Sequence, residues 1–517
     1  MRRVHCALAA LILSVGTRPV SAQGWPGYAR DAQHTSMGVG PSQLPQRIRW
    51  STPVDQMPQY TGSDLLIHYG SPLMTRVNTV IVPIKTGATG GFQVSALRAS
   101  DGGQLWTVTS DYAVPQHNWF PVFGATLTPK DATLVIPAAG GTVLVRNFPD
   151  SPSGTTIRLA FYDIANYNAN PAAFNSAIQI CTPISSDRLG NLFFGFVSTG
   201  AALPGYPSGI PSGLARISSR GVGSFVSAAA MSGDSSMVKV VYNDAPAFSN
   251  DGNSLYVAVN NVPVSQAGVF GLGYLCRLDI TTMARLSSVF FMDPRSTQAS
   301  PLSALISDDG SETPTVGPDG DVYFGVLEAN FGSNHARGWL LHYGSDLATT
   351  KLPSAFGWDD TASVVPASSV PSYSGPSTYL LLTKYNNYAG AGGDGVNKLA
   401  VVDPNVSMID PVTGATVMNT VITVTGPTPD MTVDPNLFPN AVREWCINSA
   451  AIDPVQKCAV VNNEDGHVYR WDFTTNTLSA VLNLAPPTGE AYTPTVMGPD
   501  GAVYAINNAT LFSCVHN

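Results

Sequence analysis

A short phrase recurs along this chain and limits what it can fold into. The clearest copies are Glu312-Thr-Pro-Thr-Val-Gly-Pro-Asp-Gly-Asp-Val-Tyr-Phe and Tyr492-Thr-Pro-Thr-Val-Met-Gly-Pro-Asp-Gly-Ala-Val-Tyr-Ala. Looser copies are Ala245-Pro-Ala-Phe-Ser-Asn-Asp-Gly-Asn-Ser-Leu-Tyr-Val and Thr182-Pro-Ile-Ser-Ser-Asp-Arg-Leu-Gly-Asn-Leu-Phe-Phe. Each is a pair of β-rich apolar runs joined across an Asp-Gly or Gly-Asn turn, the pattern of a hairpin. Repetition at a period of some tens of residues is the mark of a propeller or a solenoid.

Copies begin near Ser71, Ala125, Thr182, Ala245, Thr313, Thr361, Ser449 and Thr493, at spacings from about 44 to about 88 residues. That is the length of a four-stranded blade plus variable loops. A second motif of strand, polar turn and strand follows, clearest in Val94-Ser-Ala-Leu-Arg-Ala-Ser-Asp-Gly-Gly-Gln-Leu-Trp106 and weaker from Cys276 and from Val468. These are the expected third and fourth strands. The last copy ends at Leu511-Phe-Ser-Cys-Val with no fourth strand, whereas Gln46-Arg-Ile-Arg-Trp50-Ser-Thr resembles a fourth strand with no first three. The N-terminal strand should therefore complete the last blade, closing the ring and removing its exposed edges. The expected fold is all-β: a single propeller of eight four-stranded blades, or seven if the degenerate copy near Ala125 is misread. The longest gap, Asp403 to Pro439, is expected to be an insertion over one face.

Composition agrees. Gly (48) and Pro (40) are abundant, and apolar residues at helical spacing are not evident. The net charge is −9, and the 26 Lys and Arg never cluster, so no basic stripe exists for nucleic acid. No apolar run after the N-terminus approaches the ~20 residues that span a bilayer. The start reads as a secretory signal: basic Met1-Arg-Arg-Val-His, apolar Cys6 to Val15, and Val20-Ser-Ala22 as a cleavage site. The expected division is a signal peptide over residues 1–22 and a propeller over 23–517, secreted or periplasmic.

Such a destination permits disulfides. Cys181, Cys276, Cys446, Cys458 and Cys514 remain after cleavage, an odd number. Cys446 and Cys458 are the tempting pair. A hairpin turning at Asp453-Pro454-Val455-Gln456, however, places Cys446 opposite Asn463, roughly 16 Å from Cys458 at ~3.3 Å per residue. The pair then requires the chain to curl back before the strand, and both outcomes stay open.

In a propeller the first strand of each blade lines the central channel, and the residue entering it faces the funnel mouth. The position before each Thr-Pro-like step gives Asp244, Glu312 and Asp360 on three consecutive blades, then Asn448 and Tyr492. Asp359, Glu444 and Glu490 lie within a few residues of that level, and His68, Tyr69, His117 and Trp119 enter from the first two blades. Three carboxylates together repel unless compensated. Asp244, Glu312 and Asp360 could ligate a hard cation such as calcium, carry raised pKa values for acid/base work, or sit hydrated at a wet rim. Trp358-Asp-Asp-Thr is the densest polar-aromatic cluster, and Trp358 suits either a ligand-stacking surface or packing between blades. Gly-x-Ser-x-Gly, His-Glu-x-x-His and EF-hand patterns are absent.

Trp25-Pro-Gly-Tyr-Ala-Arg-Asp-Ala-Gln-His-Thr35, the repeat ending at Trp106 and the closure by the N-terminus together resemble the quinoprotein-alcohol-dehydrogenase-like propellers. The resemblance implies eight blades, a Trp docked between neighbouring blades and, in the family's dehydrogenases, pyrroloquinoline quinone with calcium in the funnel beside a vicinal disulfide. This chain has no Cys-Cys dipeptide, which counts against the quinone. The leading expectation is a binding module for a small molecule, glycan or protein at the funnel face. A quinone- and calcium-dependent oxidoreductase and a polysaccharide hydrolase or lyase are the alternatives.

Overall fold

The computed structural model describes residues 24–61, 64–66, 70–115, 123–266, 268–308, 310–484 and 491–517. The signal-peptide reading lies outside the described residues.

The strands form eight blades around one axis. Blade 1 comprises Leu73–Met74, Thr79–Lys85, Phe92–Arg98 and Gln104–Ser110 in antiparallel order. The degenerate copy is a true blade: Thr126–Leu127 pairs with Thr133–Pro137, followed by Thr142–Asn147 and Thr156–Ala160. In blades 3 to 8 the innermost strands that follow the repeated phrase are Ser185–Ser186, Ala247–Phe248, Thr315–Val316, Ser363–Pro366, Ala451–Asp453 and Val496–Met497. In blade 5, Trp339–Tyr343 is the third strand, and Thr350 and Ser354 bridge to it in the place of a fourth. Arg47–Pro53 pairs with Thr510–Val515 as the fourth strand of blade 8, closing the ring as the chain ends require.

Burial explains the strand grammar. Second strands such as Thr79–Lys85, Leu192–Ser198 and Ser254–Asn260 are buried along their whole length, because neighbouring blades cover both faces. The outermost strand Thr477–Asn483 alternates exposed and half-buried residues. Register shifts recur between third and fourth strands in blades 1, 4, 6, 7 and 8. Such bulges re-aim side chains, and in blades 1 and 8 they sit beside a docking tryptophan. Trp50 Nε1 donates to the Ala99 carbonyl of blade 1 at 2.8 Å, and Trp106 Nε1 to the Pro149 carbonyl of blade 2 at 2.7 Å.

Two expectations need correction. Much of the supposed insertion from Asp403 is strand: Lys398–Ile409 and Thr416–Thr425 form a lengthened outer hairpin of blade 6. A break in pairing between Asp403 and Ser407 absorbs Pro404, so loop-like residues sit inside a continuous strand. Three short helices, Ile164–Ala169, Pro171–Ala177 and Ala228–Ser232, also occur. At five to seven residues they are too short to show periodicity. The five described cysteines are buried and unbridged. The Cys446 backbone N–H lies 3.1 Å from Asn463 Oδ1, at the opposite end of strand Cys458–Asn463 from Cys458.

The segment before Arg47 runs around one end of the channel and bonds the inner strands in turn. Trp25 N donates to Met74 O of blade 1 (2.8 Å), and Leu127 N of blade 2 donates to Pro26 O (2.7 Å). Phe248, Val316, Val364 and Ile452, from blades 4 to 7, donate to the carbonyls of Ala32, Gln33, Thr35 and Ser36. Gln43 N closes the circuit on Gly501 O of blade 8. The curvature is tight: Ala29, Arg30, His34 and Ser36 all have positive φ (45°, 79°, 59° and 53°). Such conformations cost roughly 1–3 kcal/mol each and persist only where surroundings fix them.

Candidate functional site at the funnel end of the channel

Residues that precede an inner strand lie at one end of the channel; turns that follow it lie at the other, where the N-terminal segment sits. Tyr28 reaches up the axis from that segment. Its hydroxyl lies 2.8 Å from Asn448 Oδ1, 3.1 Å from the Ser311 carbonyl and 3.3 Å from Thr361 Oγ1. Above it is a cavity of about 30 Å³ bordered by Tyr28, Ser71, Pro183, Asn243, Asn448 and Tyr492. That is room for a water-sized or ammonium-sized group.

The expected acids occupy this end and are buried. Asp244, Glu312 and Asp360 are 0%, 1% and 1% exposed. Asp244 Oδ2 accepts the backbone N–H of Ala258, on the second strand of its own blade. Asp360 Oδ2 does the same on blade 6, accepting from Thr383 Oγ1 (2.6 Å) and Lys384 N (3.1 Å). Glu312 folds back over Gly310, where a Cβ would fall 1.9 Å from its Oε2, so a side chain there would displace the carboxyl. Both Glu312 oxygens lack a hydrogen-bond partner among the described residues, as do Asp244 Oδ1, Asp360 Oδ1, Asn243 Oδ1 and the Tyr242 hydroxyl.

Asp359 lies beside this set, held in the left-handed region (φ 52°). Its Oδ1 accepts from Ser311 N at 2.7 Å and its Oδ2 is 3.3 Å from the buried Lys384 amine. Glu444 is half-buried next to Tyr388 and Lys384. Trp358 is half-buried with its ring 5.4 Å from Phe270, so it packs toward blade 4. His117 and Trp119 lie outside the described residues, as do His68, Tyr69 and Glu490. The notable group that the ring rule missed is Lys384, visible in sequence only as part of Lys384-Tyr-Asn-Asn-Tyr388. Tyr242 and Asn243 carried no signal beyond their place before Asp244.

The electrostatics follow from burial. It pushes the Asp360 carboxyl up to about 7, against the pull of Thr383 and Lys384. Burial and then Asp359 hold Glu312 well above the usual carboxylate range, and burial does the same for Asp244. Glu444 is also raised by burial, with Lys384 opposing. Burial would lower the Lys384 amine; Asp359 leads the charges that outweigh it, and the amine ends above the ordinary lysine value. Burial raises the Cys181 and Cys446 thiols well above normal, which makes them poor nucleophiles.

Calcium takes six to eight oxygens at about 2.3–2.6 Å. Asp244, Glu312 and Asp360 do not supply such a cage, because two of them bond their own second strands. Among the described residues no group of three or more His, Cys, Asp or Glu side chains is placed to hold a metal ion. A cofactor the size of pyrroloquinoline quinone needs a pocket of a few hundred Å³ or more, and the axial cavity is an order of magnitude smaller. The residues described here therefore fit neither group.

No protein-family model matches the chain, and no curated protein matches it in sequence. Solved structures do match. A europium-containing methanol dehydrogenase aligns over 94% of this chain and 89% of its own at 9% identity, with a TM-score of 0.50. BamB from Moraxella catarrhalis aligns over 91% and 99% at 10% identity (TM-score 0.45), and the Dos1 propeller over 89% and 80% at 11% (TM-score 0.35). At such identities the likeness is one of architecture. Eight closed blades and the methanol dehydrogenase match show a fold-level resemblance to the quinoprotein-alcohol-dehydrogenase-like propellers.

Proposed function

We propose that this chain is an exported binding module that receives a donor-bearing head group, a primary ammonium by preference, at the funnel end of its channel. Export rests on Arg2, Arg3, the apolar stretch from Cys6 to Val15 and the small residues up to Ala22. The observation that carries the binding reading is the set of partnerless buried polar atoms on blades 4, 5 and 6. Among the described residues Tyr242, Asn243, Asp244, Glu312 and Asp360 contribute six such atoms, five of them carboxyl or amide oxygens. A buried polar atom without a partner costs about 1–3 kcal/mol. Retaining a group of them on three consecutive blades makes sense if a ligand supplies the missing hydrogens. Acids outnumber cations here, with Asp244, Asp308, Glu312, Asp359, Asp360 and Glu444 against Lys239 and Lys384, so a cationic donor fits better than a neutral one. The small cavity favours a head group over a whole ring system.

A thermal-melt titration with putrescine, maltotriose, calcium and pyrroloquinoline quinone tests this. Putrescine at one hundred times its Kd should stabilise by about 2.7 kcal/mol, and Glu312→Gln should remove most of the shift. A shift with calcium or the quinone and none with putrescine would overturn the proposal.

A further inference from the structure

The turn after each inner strand repeats around the opposite face, and its residues change character from blade to blade. Blades 5 and 8 carry Pro-Asp-Gly, and blade 4 carries Asn250-Asp251-Gly252. Blades 1, 2 and 3 place a cation in the same turn instead: Arg76, Lys130 and Arg188. Together with Arg30 of the N-terminal segment, these residues border a groove of about 610 Å³ on that face. This is within the usual range for small-ligand pockets. Four of the 26 cations of a chain with net charge −9 thus surround one depression.

The acids in its wall are occupied. Asp31 accepts from Gln33 N, Thr35 N and Thr35 Oγ1 and pairs with Arg30 at 2.8 Å. Asp131 pairs with Arg76 (3.3 Å) and takes its backbone N–H at 2.7 Å. Asp187 is buried within its own turn, accepting from Leu189 N, Asn191 N and Asn191 Nδ2. Lys130 and Arg188 are exposed, and neither side chain has a hydrogen bond or ion pair among the described residues.

A second feature points to the same turn. In blades 3, 4, 5 and 8 this turn puts a single glycine in the left-handed region, Gly190 (φ 79°), Gly252 (66°), Gly320 (90°) and Gly501 (80°), and in blades 1 and 7 a single Asn78 (71°) or Lys457 (56°). Blade 2 forces Lys130 (64°) and Asp131 (55°) into it in succession. Two strained non-glycine residues in succession, where the sister turns hold one left-handed residue, are the kind of outlier that accompanies a binding role. The strain holds the Lys130 carbonyl 2.6 Å from Arg76 Nη2 and the Asp131 carboxylate against the Arg76 backbone, tying two of the groove's cations into one wall.

We infer that this groove, on the face opposite the funnel, binds a small multivalent oxyanion bearing phosphate or carboxylate groups, with Lys130 and Arg188 as its principal contacts and Arg76 and Arg30 behind them. The site is independent of the funnel and of any ligand there.

Isothermal titration calorimetry of the full chain with pyrophosphate and with citrate tests it, in low and in 0.3 M sodium chloride. The expected result is saturable binding of at least one anion that weakens with salt. The Lys130→Gln/Arg188→Gln double variant should raise Kd at least tenfold. Arg98→Gln/Arg220→Gln, with the same charge change at exposed outer turns, should leave it within twofold. Pyrophosphate alone binding would assign a phosphate source, and citrate alone a carboxylate source. No heat with either anion at millimolar concentration, or equal weakening by the two double variants, would overturn the inference.

Discussion

The two ends of the central channel are built from the same repeat and treat their polar groups in opposite ways. At the end ringed by the N-terminal segment, backbone donors of blades 2 and 4 to 7 meet a carbonyl of that segment, which sends the Tyr28 side chain up the axis to Asn448, Ser311 and Thr361. At the funnel end, three consecutive blades bury carboxyl oxygens that no described residue satisfies. An inner strand can supply either condition. The difference lies in what the described residues bring to meet it: at one end the backbone of the N-terminal segment, at the other no partner for these carboxyl oxygens. The backbone bonds of the first end read as scaffold, around which the turns carry the basic groove, and the unsatisfied acids of the second read as a separate site.

Removing the Tyr28 side chain should have the largest effect. Tyr28→Ala takes away a ring and three hydroxyl contacts from the axis and should cost about 3–5 kcal/mol in urea unfolding. Tyr28→Phe, which keeps the ring, should cost about 1–3 kcal/mol. If both variants melted like the parent, the N-terminal segment would not be scaffold.

The funnel acids should respond in the opposite sense. Glu312→Gln removes a buried carboxyl without a hydrogen-bond partner that also faces Asp359. It should stabilise by about 1–3 kcal/mol at pH 8, and by less at pH 5, where the parent glutamate holds its proton. A loss of stability at pH 8 would mean that Glu312 has a structural partner and that the contrast between the ends is false.

The pH dependence separates the ends by sign. Asp360 is raised to about 7 when folded, so the native state holds a proton that the unfolded state has released above roughly pH 4. Its contribution to stability is present at low pH and falls as pH rises toward 7, by at most about 1.4 kcal/mol per unit. Buried His34, whose Nδ1 lies 2.9 Å from the Pro314 carbonyl, is lowered to about 4. The unfolded state then binds the extra proton, so its contribution is present above about pH 6.5 and is lost as pH falls toward 4. Asp360→Asn should remove the first slope and His34→Gln the second, read from urea midpoints between pH 4 and 8. Identical profiles for both variants and the parent would contradict both assignments.

The smallest expected effect concerns Trp358. Its ring packs near Phe270, away from the cavity-bordering residues. Trp358→Phe should lower stability by under about 1.5 kcal/mol and leave putrescine affinity within twofold.

The blade count was legible because each inner strand begins within a few residues of the repeated phrase, and the closure because Trp50 copies Trp106. Tryptophan docking needs only a bulge and a neighbouring carbonyl, both of which the repeat encodes. The orientation of the acids was not legible. Asp244 turns to Ala258 and Asp360 to Lys384, fourteen and twenty-four residues on, and such pairings depend on loop lengths that differ between blades. Nor was the depth of these acids: Asp244, Glu312 and Asp360 are buried rather than exposed at a rim. The ring drawn by residues 25–43 was equally hidden: its bonds are mostly backbone to backbone, and any sequence can make them. Blade 6 misled for a related reason, since Pro404 looks like a loop until a strand is seen to bulge around it.

The most direct test of the unsatisfied end is calorimetry of putrescine binding near pH 7 in two buffers of different ionisation enthalpy. If cationic head groups meet carboxyls that hold protons at neutral pH, binding should release protons, and the apparent enthalpy should differ between the buffers. That difference should vanish in Asp360→Asn/Glu312→Gln. Binding with the same enthalpy in both buffers, or no binding at millimolar putrescine, would contradict the account.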